Sequence, residues 1–407
     1  MKKLIYINLF IDNEWDHHKI LDTIFSLRVP SSKTILDSYY LWGIFRGNTD
    51  DYAIVKELAD NEFVLFLNKH LELPIQIKND DISSLDLNRL SNFEFVGISN
   101  EEESLISLKP NIRKKYLKED DYRILNSKTI LLELAEAEGI NFPKTKIISV
   151  ENFSELANTP RPFVLKFNHS AGGRGVFVIN DKSEHLPAFI ARQLDDINES
   201  AVFLKQEYID IKSHFYTIAN TESEVIAGYE IVYDSSNNSK IHKPEKIIHK
   251  SRIEASAKIS EYLRSQNYHG PFGFDGFIDT KEKIYPAIDL NVRLDKSRMI
   301  YDLACKLKIE NENYEFRRER FQSVGYSGFT AFWQVRIEGL NGINNKYGNK
   351  FRIFPVMFAN LFRSNKEIDT VEISFFFINT NEENIESFEE WKNNVYEWLG
   401  ITTQGDL

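Results

Sequence analysis

The sequence predicts an α/β fold with more than one domain. Strand-like and helix-like patterns alternate along the chain. The length of 407 residues exceeds the roughly 250–300 at which single hydrophobic cores stop growing, which indicates two or three domains. The segments that carry recognisable chemistry lie in the middle of the chain, between residues 126 and 300.

Composition narrows the class of protein. Hydrophobic residues make up 42% and charged residues 27%, which is typical of globular domains. The net charge of −11 disfavours nonspecific nucleic-acid binding, because such binding needs Lys and Arg to neutralise phosphates. We find no apolar run of the roughly 18 residues that a membrane helix requires, and no cleavage site follows the short apolar run near the start. We expect a cytoplasmic protein that binds neither nucleic acid nor membrane.

The first 125 residues carry no motif that we can interpret. Strands are predicted at residues 3–10 and 93–98, and helix or loop at residues 50–59 and 83–90. A helix is predicted at residues 126–139, because Asn126 suits the N-cap and Gly139 suits the position after the last turn.

Strands dominate the next part of the chain. They are predicted at residues 146–149, 162–167, 175–179, 201–209, 215–219 and 224–233, with a helix at 188–194. A polar loop at 234–240 is followed by a helix at 253–266 and a hairpin of residues 271–279 and 284–290. The tail is predicted to contain a helix at 301–307, a strand at 370–378 and an amphipathic helix at 385–399.

A glycine-rich loop directly follows a lysine at the end of a strand. Lys166 is the last residue but one of the predicted strand segment Phe-Val-Leu-Lys-Phe, and Gly172, Gly173 and Gly175 follow. Glycines let backbone N–H groups approach phosphate oxygens closely, and the lysine supplies a positive charge. The loop lacks the Gly-Lys-Ser/Thr opening of a P-loop. A plain β-hairpin with a flexible turn is the alternative interpretation.

Oxygen ligands gather on a predicted strand pair. Asp289, Asn291 and Arg293 alternate along one strand and therefore share a face. Asp275 lies on the partner strand, where pairing would bring it beside Asp289. Carboxylate and amide oxygens are ligands that Mg²⁺ prefers. A solvated strand face with an incidental ion pair is the alternative.

In this chain order the two motifs resemble the ATP-grasp superfamily, over about residues 126–300. That family has a helix-borne lysine, a strand lysine with a glycine-rich loop, an adenine-binding linker and metal-binding acidic strands. The resemblance implies that ATP is bound by Lys128, Lys166, Gly172, Gly173, Arg174, Gly175, Gln206, Glu207, Tyr208 and Ile209. It implies one or two Mg²⁺ ions, with Mn²⁺ as an alternative, on Asp275, Asp289 and Asn291.

The resemblance also implies a domain plan: a pre-ATP-grasp α/β domain at residues 1–125, two ATP-grasp subdomains at 126–209 and 210–300, and an extension at 301–407 that completes the substrate site. The sequence departs from the family at Asp289, where a glutamate is usual. His169 and Ser170 stand where small residues are common. Ser213 and His214 stand after the linker, where the family often has an acidic residue, which leaves Glu207 and Asp210 as candidates for the ribose contact.

The activity that the resemblance implies is a carboxylate–amine ligase acting through an acyl phosphate. Arg293 would stabilise the transferred phosphoryl group, and Arg298 or Arg174 would hold the substrate carboxylate. Its partners would be a small-molecule or peptide acid and an amine, and a homodimer is a family-level expectation. Two alternatives stay open: a kinase that phosphorylates an alcohol, and a non-catalytic ATP-binding module. The lid candidates are the glycine-rich loop, the polar loop and residues 243–252.

Overall fold

The computed structural model describes most of the central part of the chain and separate segments at either end. The described residues are 2–7, 51–55, 61–69, 71–73, 75–78, 90–96, 119–149, 152, 155–156, 159–169, 175–181, 202–222, 225–234, 239–311, 313–323, 343, 346–347, 350–361, 369–379 and 385–399. The predicted elements at residues 83–90 and 188–194 lie outside these ranges, apart from residue 90.

The first described strands form a parallel sheet. Its strands are β1 (Lys2–Ile7), β2 (Tyr52–Val55), β3 (Ile75–Lys78) and β4 (Leu90–Val96), in the order β3-β2-β1-β4. All three strand pairs are parallel, which confirms the α/β character of this region. The prediction of helix or loop at residues 50–59 was wrong for Tyr52–Val55, because β2 pairs with strands on both sides and buries Ala53 completely. Helix α1 (Asn61–Leu67) follows β2.

The second sheet carries the strand lysine. Its strands are β5 (Thr145–Ser149), β6 (Phe163–Phe167), β7 (Val176–Ile179) and β8 (Val202–Glu207), in the antiparallel order β5-β8-β6-β7. Two helices precede it, α2 (Glu119–Leu125) and α3 (Lys128–Glu138). Gly139 ends α3 with φ of 64°, the left-handed conformation that its position was predicted to need.

The third sheet has eight antiparallel strands and extends far into the tail. They are β9 (Ile211–Asn220), β10 (Val225–Asp234), β11 (Ser239–Pro244), β12 (Pro271–Asp279), β13 (Ile284–Asn291), β14 (Asn313–Ser323), β15 (Phe351–Leu361) and β16 (Asp369–Asn379). The order is β13-β12-β9-β10-β11-β14-β16-β15. The predicted hairpin of β12 and β13 is confirmed, whereas β14 and β15 were not predicted.

Four helices pack on this sheet. Helix α4 (Lys250–Ser265) and α3 bury apolar residues against β12 and β13. Helix α5 (Lys296–Leu307) starts five residues before its predicted position, because Asp295 caps it by accepting the backbone N–H of Arg298 at 3.0 Å. Helix α6 (Ile385–Leu399) matches its prediction. Among the described residues, no helix is both long and apolar enough to cross a bilayer.

The tail belongs to the same core as the central strands. Trp391 of α6 is fully buried and lies 6.0 Å from the Phe377 ring of β16, centroid to centroid. Phe66 of α1 lies 5.8 Å from Phe354 of β15, which joins the first parallel region to this sheet. The proposed domain boundary at residue 300 falls inside α5, and the strands after it continue the sheet that carries Asp275 and Asp289.

Trp391→Ala tests whether α6 holds the tail on the sheet. Loss of a fully buried tryptophan should destabilise the protein by about 3–5 kcal/mol, which lowers the temperature of thermal unfolding. Trp398→Ala on the same helix is the control, because Trp398 is 45% exposed. Equal effects of the two substitutions would contradict the packing described for α6.

Candidate active site

The first turn of α3 is held by the end of the lysine-bearing strand. The backbone N–H of Lys128 donates to the carbonyl oxygen of Asn168 at 3.1 Å, and the N–H of Thr129 donates to Asn168 Oδ1 at 3.1 Å. The first N–H groups of a helix lack partners within the helix. Asn168 satisfies two of them and thereby fixes α3 relative to β6, which places Lys128 near Lys166.

The same turn is held from the opposite side by the end of β13. Asn126 Oδ1 accepts hydrogen bonds from the backbone N–H of Val292 at 2.8 Å and from Arg293 Nη1 at 3.0 Å. Asn126 is 3% exposed. Its prediction as the N-cap was wrong: Ser127 is the cap, with Oγ accepting from the N–H of Ile130.

Two buried lysines converge on Asp289. Lys128 Nζ lies 3.3 Å from Asp289 Oδ1. Lys166 Nζ donates to the carbonyl oxygen of Ile288 at 3.5 Å. Lys128 is 4% exposed and Lys166 is 5% exposed. Lys128 lies on helix α3 and Lys166 on strand β6. The structure therefore brings both predicted lysines to the acidic strand.

Burial makes the Lys166 ammonium costly in the absence of an added negative charge. Loss of hydration lowers the pKa of Lys166 from 10.5 to about 8. Asp289 opposes this shift in the pKa, the positive charge of Lys128 adds to it, and Asp275 opposes it to a smaller extent. Since Asp275, Asp289 and Lys128 all act on Lys166, the four charges form one cluster. A polyanion placed there would stabilise both lysines.

The three predicted metal ligands lie on adjacent strands. Asp275 is directly opposite Asp289 in the register of β12 and β13, and Asn291 pairs with Gly273 two residues further on. No group of three or more His, Cys, Asp or Glu side chains gathers anywhere in the described part of the chain. Two carboxylates and an amide fit Mg²⁺ in donor type, but they need further oxygens to complete a shell. The donor set therefore suits a metal ion that arrives with phosphate oxygens.

The two predicted arginines have partners within the protein. Arg293 lies two residues beyond the end of β13. Arg293 is 4% exposed and bonds Asn126. Arg298 lies in the first turn of α5, where its Nε donates to Asp302 Oδ1 at 2.9 Å. The roles of both arginines toward a substrate stay predictions.

The predicted adenine linker is where β8 ends. Gln206 is buried, and its Nε2 donates to Thr145 Oγ1 at 3.0 Å. The backbone N–H of Glu207 donates to the Lys144 carbonyl oxygen at 2.9 Å, and Glu207 Oε1 accepts the N–H of Lys144 at 2.8 Å. The N–H group and one carboxylate oxygen of Glu207 are therefore already hydrogen-bonded to Lys144. Tyr208 is exposed and Ile209 half-buried.

Three predicted phosphate contacts, Gly172, Gly173 and Arg174, lie outside the described residues. Gly175 is buried, and its carbonyl oxygen accepts the N–H of Phe167 at 2.8 Å, which brings the chain back beside β6. His169 is also buried, and its Nε2 is 3.0 Å from the carbonyl oxygen of Arg123.

Residues 243–252, one of the lid candidates, link β11 to α4. Their first two residues end β11, and the last three begin α4. Arg252 is 2% exposed, and its Nη1 lies 2.6 Å from Glu245 Oε2. The guanidinium also donates to Thr217 Oγ1 and to the Tyr216 carbonyl oxygen, both at 2.9 Å. Arg252 thus braces β9.

Comparison with known proteins finds no matching family model. One curated relative is the butirosin acyl-carrier-protein–L-glutamate ligase of Niallia circulans. It is 22% identical over 321 residues, which cover 72% of this chain and 73% of the relative.

Solved structures share the fold over nearly the whole chain. Phosphoribosylamine–glycine ligase from Thermotoga maritima superposes with a TM-score of 0.55 at 11% identity, covering 98% of this chain and 96% of that one. L-amino acid ligase from Bacillus licheniformis gives 0.51 at 13% identity, with 97% of each chain covered. The N5-carboxyaminoimidazole synthase of Aspergillus clavatus, in complex with ADP and 5-aminoimidazole ribonucleotide, gives 0.51 at 12% identity, covering 97% and 98%.

Lys166→Met tests the buried ammonium. The pKa of Lys166 is about 8 in the folded protein, against an ordinary 10.5. The folded state binds fewer protons between these values, so its stability rises with pH across that window, and the full penalty is present below pH 8. We expect Lys166→Met to raise the free energy of unfolding by about 1–3 kcal/mol at pH 7. The gain should shrink towards pH 10.5.

Urea unfolding of both proteins at pH 7 and pH 10 measures this difference. Lys146→Met is the control, since Lys146 is exposed on β5 with Glu155 as its ion-pair partner. A stability gain of the same size at both pH values would show that the charge of Lys166 is not its cause.

Asn126→Ala tests the link between α3 and β13. The substitution leaves the buried N–H of Val292 and the Arg293 guanidinium without their shared acceptor. We expect a loss of about 2–4 kcal/mol in unfolding free energy. Asn141→Ala is the control, because Asn141 is only partly buried and donates a single hydrogen bond, to the Ile284 carbonyl oxygen. A smaller loss for Asn126→Ala than for Asn141→Ala would remove this link.

Proposed function

From the ATP-grasp fold of this chain and the cluster of charges around Lys166, we propose that it is an ATP-dependent carboxylate–amine ligase. One observation supports this most strongly. Lys128 and Lys166 arrive from a helix and a strand that are far apart in sequence, and both lie at a strand that carries Asp289 and Asn291. Buried cations beside oxygen ligands fit a triphosphate with a divalent cation.

The reaction that this arrangement supports has two steps. An oxygen of the substrate carboxylate attacks the γ-phosphorus of ATP, and the bond to the β–γ bridging oxygen breaks, which gives an acyl phosphate and ADP. The amine nitrogen then attacks the acyl carbon, loses a proton, and expels inorganic phosphate. No protein nucleophile is needed, so catalysis depends on positioning and on charge stabilisation.

Each residue of the cluster has a part in that chemistry. Lys128 and Lys166 neutralise phosphate oxygens, and the pKa of Lys166 rises from about 8 when they bind. Asp275, Asp289 and Asn291 would hold Mg²⁺, which offsets charge on the β- and γ-phosphates. Gln206 to Ile209 would contact adenine, and Gly172 to Gly175 the phosphates.

The comparisons favour a ligase over the other two activities considered. The curated relative and the three solved structures described above are named as ligases or as a synthase. None of these four is named as a kinase. The relative is named for joining an acyl-carrier protein to L-glutamate, so both belong among the substrates to be tested. A cytoplasmic location and a homodimer remain part of the proposal.

Phosphate release tests the proposal directly. The purified protein should release phosphate from Mg²⁺–ATP only when a carboxylic acid and an amine of a substrate panel are both present. With an ¹⁸O-labelled acid, one label should appear in the released phosphate, because the carboxylate oxygen attacks phosphorus. A phosphorylated product formed without amine would indicate a kinase, and ATP binding without turnover would indicate a binding module.

Lys166→Ala should lower kcat/KM on the order of 100-fold, the effect of losing one group that stabilises transition-state charge. Lys146→Ala is matched to it, since that lysine lies exposed on the same sheet, and should leave the rate unchanged. Normal turnover by Lys166→Ala would remove the central assignment.

A further inference from the structure

The Tyr216 hydroxyl joins Asn291 to Asp295. It donates to Asp295 Oδ2 at 2.7 Å and accepts from Asn291 Nδ2 at 3.2 Å. Tyr216 is 4% exposed, and it lies directly opposite Asp275 in the pairing of β9 with β12. The hydroxyl therefore contacts one proposed metal ligand, Asn291, and its residue faces a second, Asp275, on the neighbouring strand, although no motif of the sequence includes this tyrosine.

The direction of these hydrogen bonds fixes which end of the Asn291 amide faces the tyrosine. Asp295 Oδ1 already accepts the N–H of Arg298, and Oδ2 accepts the single proton of the tyrosine hydroxyl. The tyrosine hydroxyl therefore has no second proton to donate. Only its lone pairs remain for Asn291, and a lone pair bonds the NH₂ group rather than the amide oxygen.

Gly273 leaves the space that this contact needs. It pairs with Asn291 on one side and with Ile218 on the other, in the row next to Tyr216 and Asp275. A Cβ atom at residue 273 would lie 2.3 Å from the Tyr216 hydroxyl and 2.7 Å from Asp295 Oδ2. A side chain there would displace the tyrosine from between its two partners.

We propose that Tyr216 is a positioning residue: by holding the NH₂ group of Asn291, it directs the amide oxygen to the cation of the metal–nucleotide complex. An asparagine amide has one oxygen and one nitrogen, and only the oxygen can bind a hard cation. Outer partners that orient a metal ligand commonly change metal affinity 10–100-fold. The inference rests on the proposed function in treating Asn291 as a metal ligand.

The experiment measures Mn²⁺ binding with a non-hydrolysable ATP analogue, by electron paramagnetic resonance titration, without acid or amine. Tyr216→Phe should weaken Mn²⁺ binding about 10–100-fold. Asn291→Asp replaces the amide by a carboxylate, whose two oxygens need no orientation, so adding Tyr216→Phe to Asn291→Asp should change binding less than about twofold. This dependence on residue 291 separates positioning from general damage to the fold.

Tyr229→Phe is the matched control. Tyr229 is buried and pairs with Tyr216 in the register of β10 and β9. The substitution removes a hydroxyl contact of 2.7 Å with Tyr314, and none of the contacts described for Asn291 involves Tyr229. It should bind Mn²⁺ as the unaltered protein does. Unchanged binding in Tyr216→Phe, an equal loss in the Asn291→Asp background, or unchanged binding in Asn291→Ala would each overturn the inference.

The ligase proposal is tested separately by the phosphate-release assay. Failure of that assay with intact Mn²⁺–nucleotide binding counts against the ligase reaction alone. The three titration outcomes above count against Tyr216 whether or not ligation is found.

Discussion

The arrangement of the charged residues at the candidate site depends on how the start of α3 is held. Asn168, at the end of one sheet, holds the first N–H groups of the helix, and Asn126 binds the end of β13 in another sheet. In the proposed function the two regions meet on a nucleotide, which requires a fixed separation, because charge–charge interaction falls with distance. Both hydrogen-bonded contacts act on the turn that carries Lys128, so its position is set relative to Lys166 and Asp289 together.

In the proposed function, the buried lysines favour ATP binding at the expense of the stability of the free protein. Burial opposes the charge of Lys166 and lowers its pKa to about 8, so the free protein holds that charge at a cost. A triphosphate turns the same burial into an advantage, since attraction between charges is stronger where water is excluded. The charges are already in place when the ligand arrives, so little reorganisation is needed at the reacting atoms.

The sequence predicted those parts of the site that local patterns specify. Lys166 followed an apolar strand and preceded glycines, and Asp289 stood in an alternating strand, so both were found from neighbouring residues. The contact of Asn126 with Val292 spans 166 positions, and that of Tyr216 with Asn291 spans 75. No pattern within one segment indicates such pairs. Strands β14 and β15 were also missed, and β14 pairs with β16 across 46 or more positions.

Buried charges connect the tail to the central strands. Glu315 of β14 is buried and accepts a hydrogen bond from Lys392 of α6 at 2.6 Å, and Lys243 of β11 lies 3.1 Å from it. Burial opposes ionisation of Glu315, but the two lysines outweigh it and lower its pKa. Removing one cationic partner of a buried carboxylate strongly destabilises a protein. The folded structure therefore needs β11, β14 and α6 together. Since β11 also continues through β10 to β9, which carries Tyr216, the strands of the tail and those of the candidate site belong to one sheet.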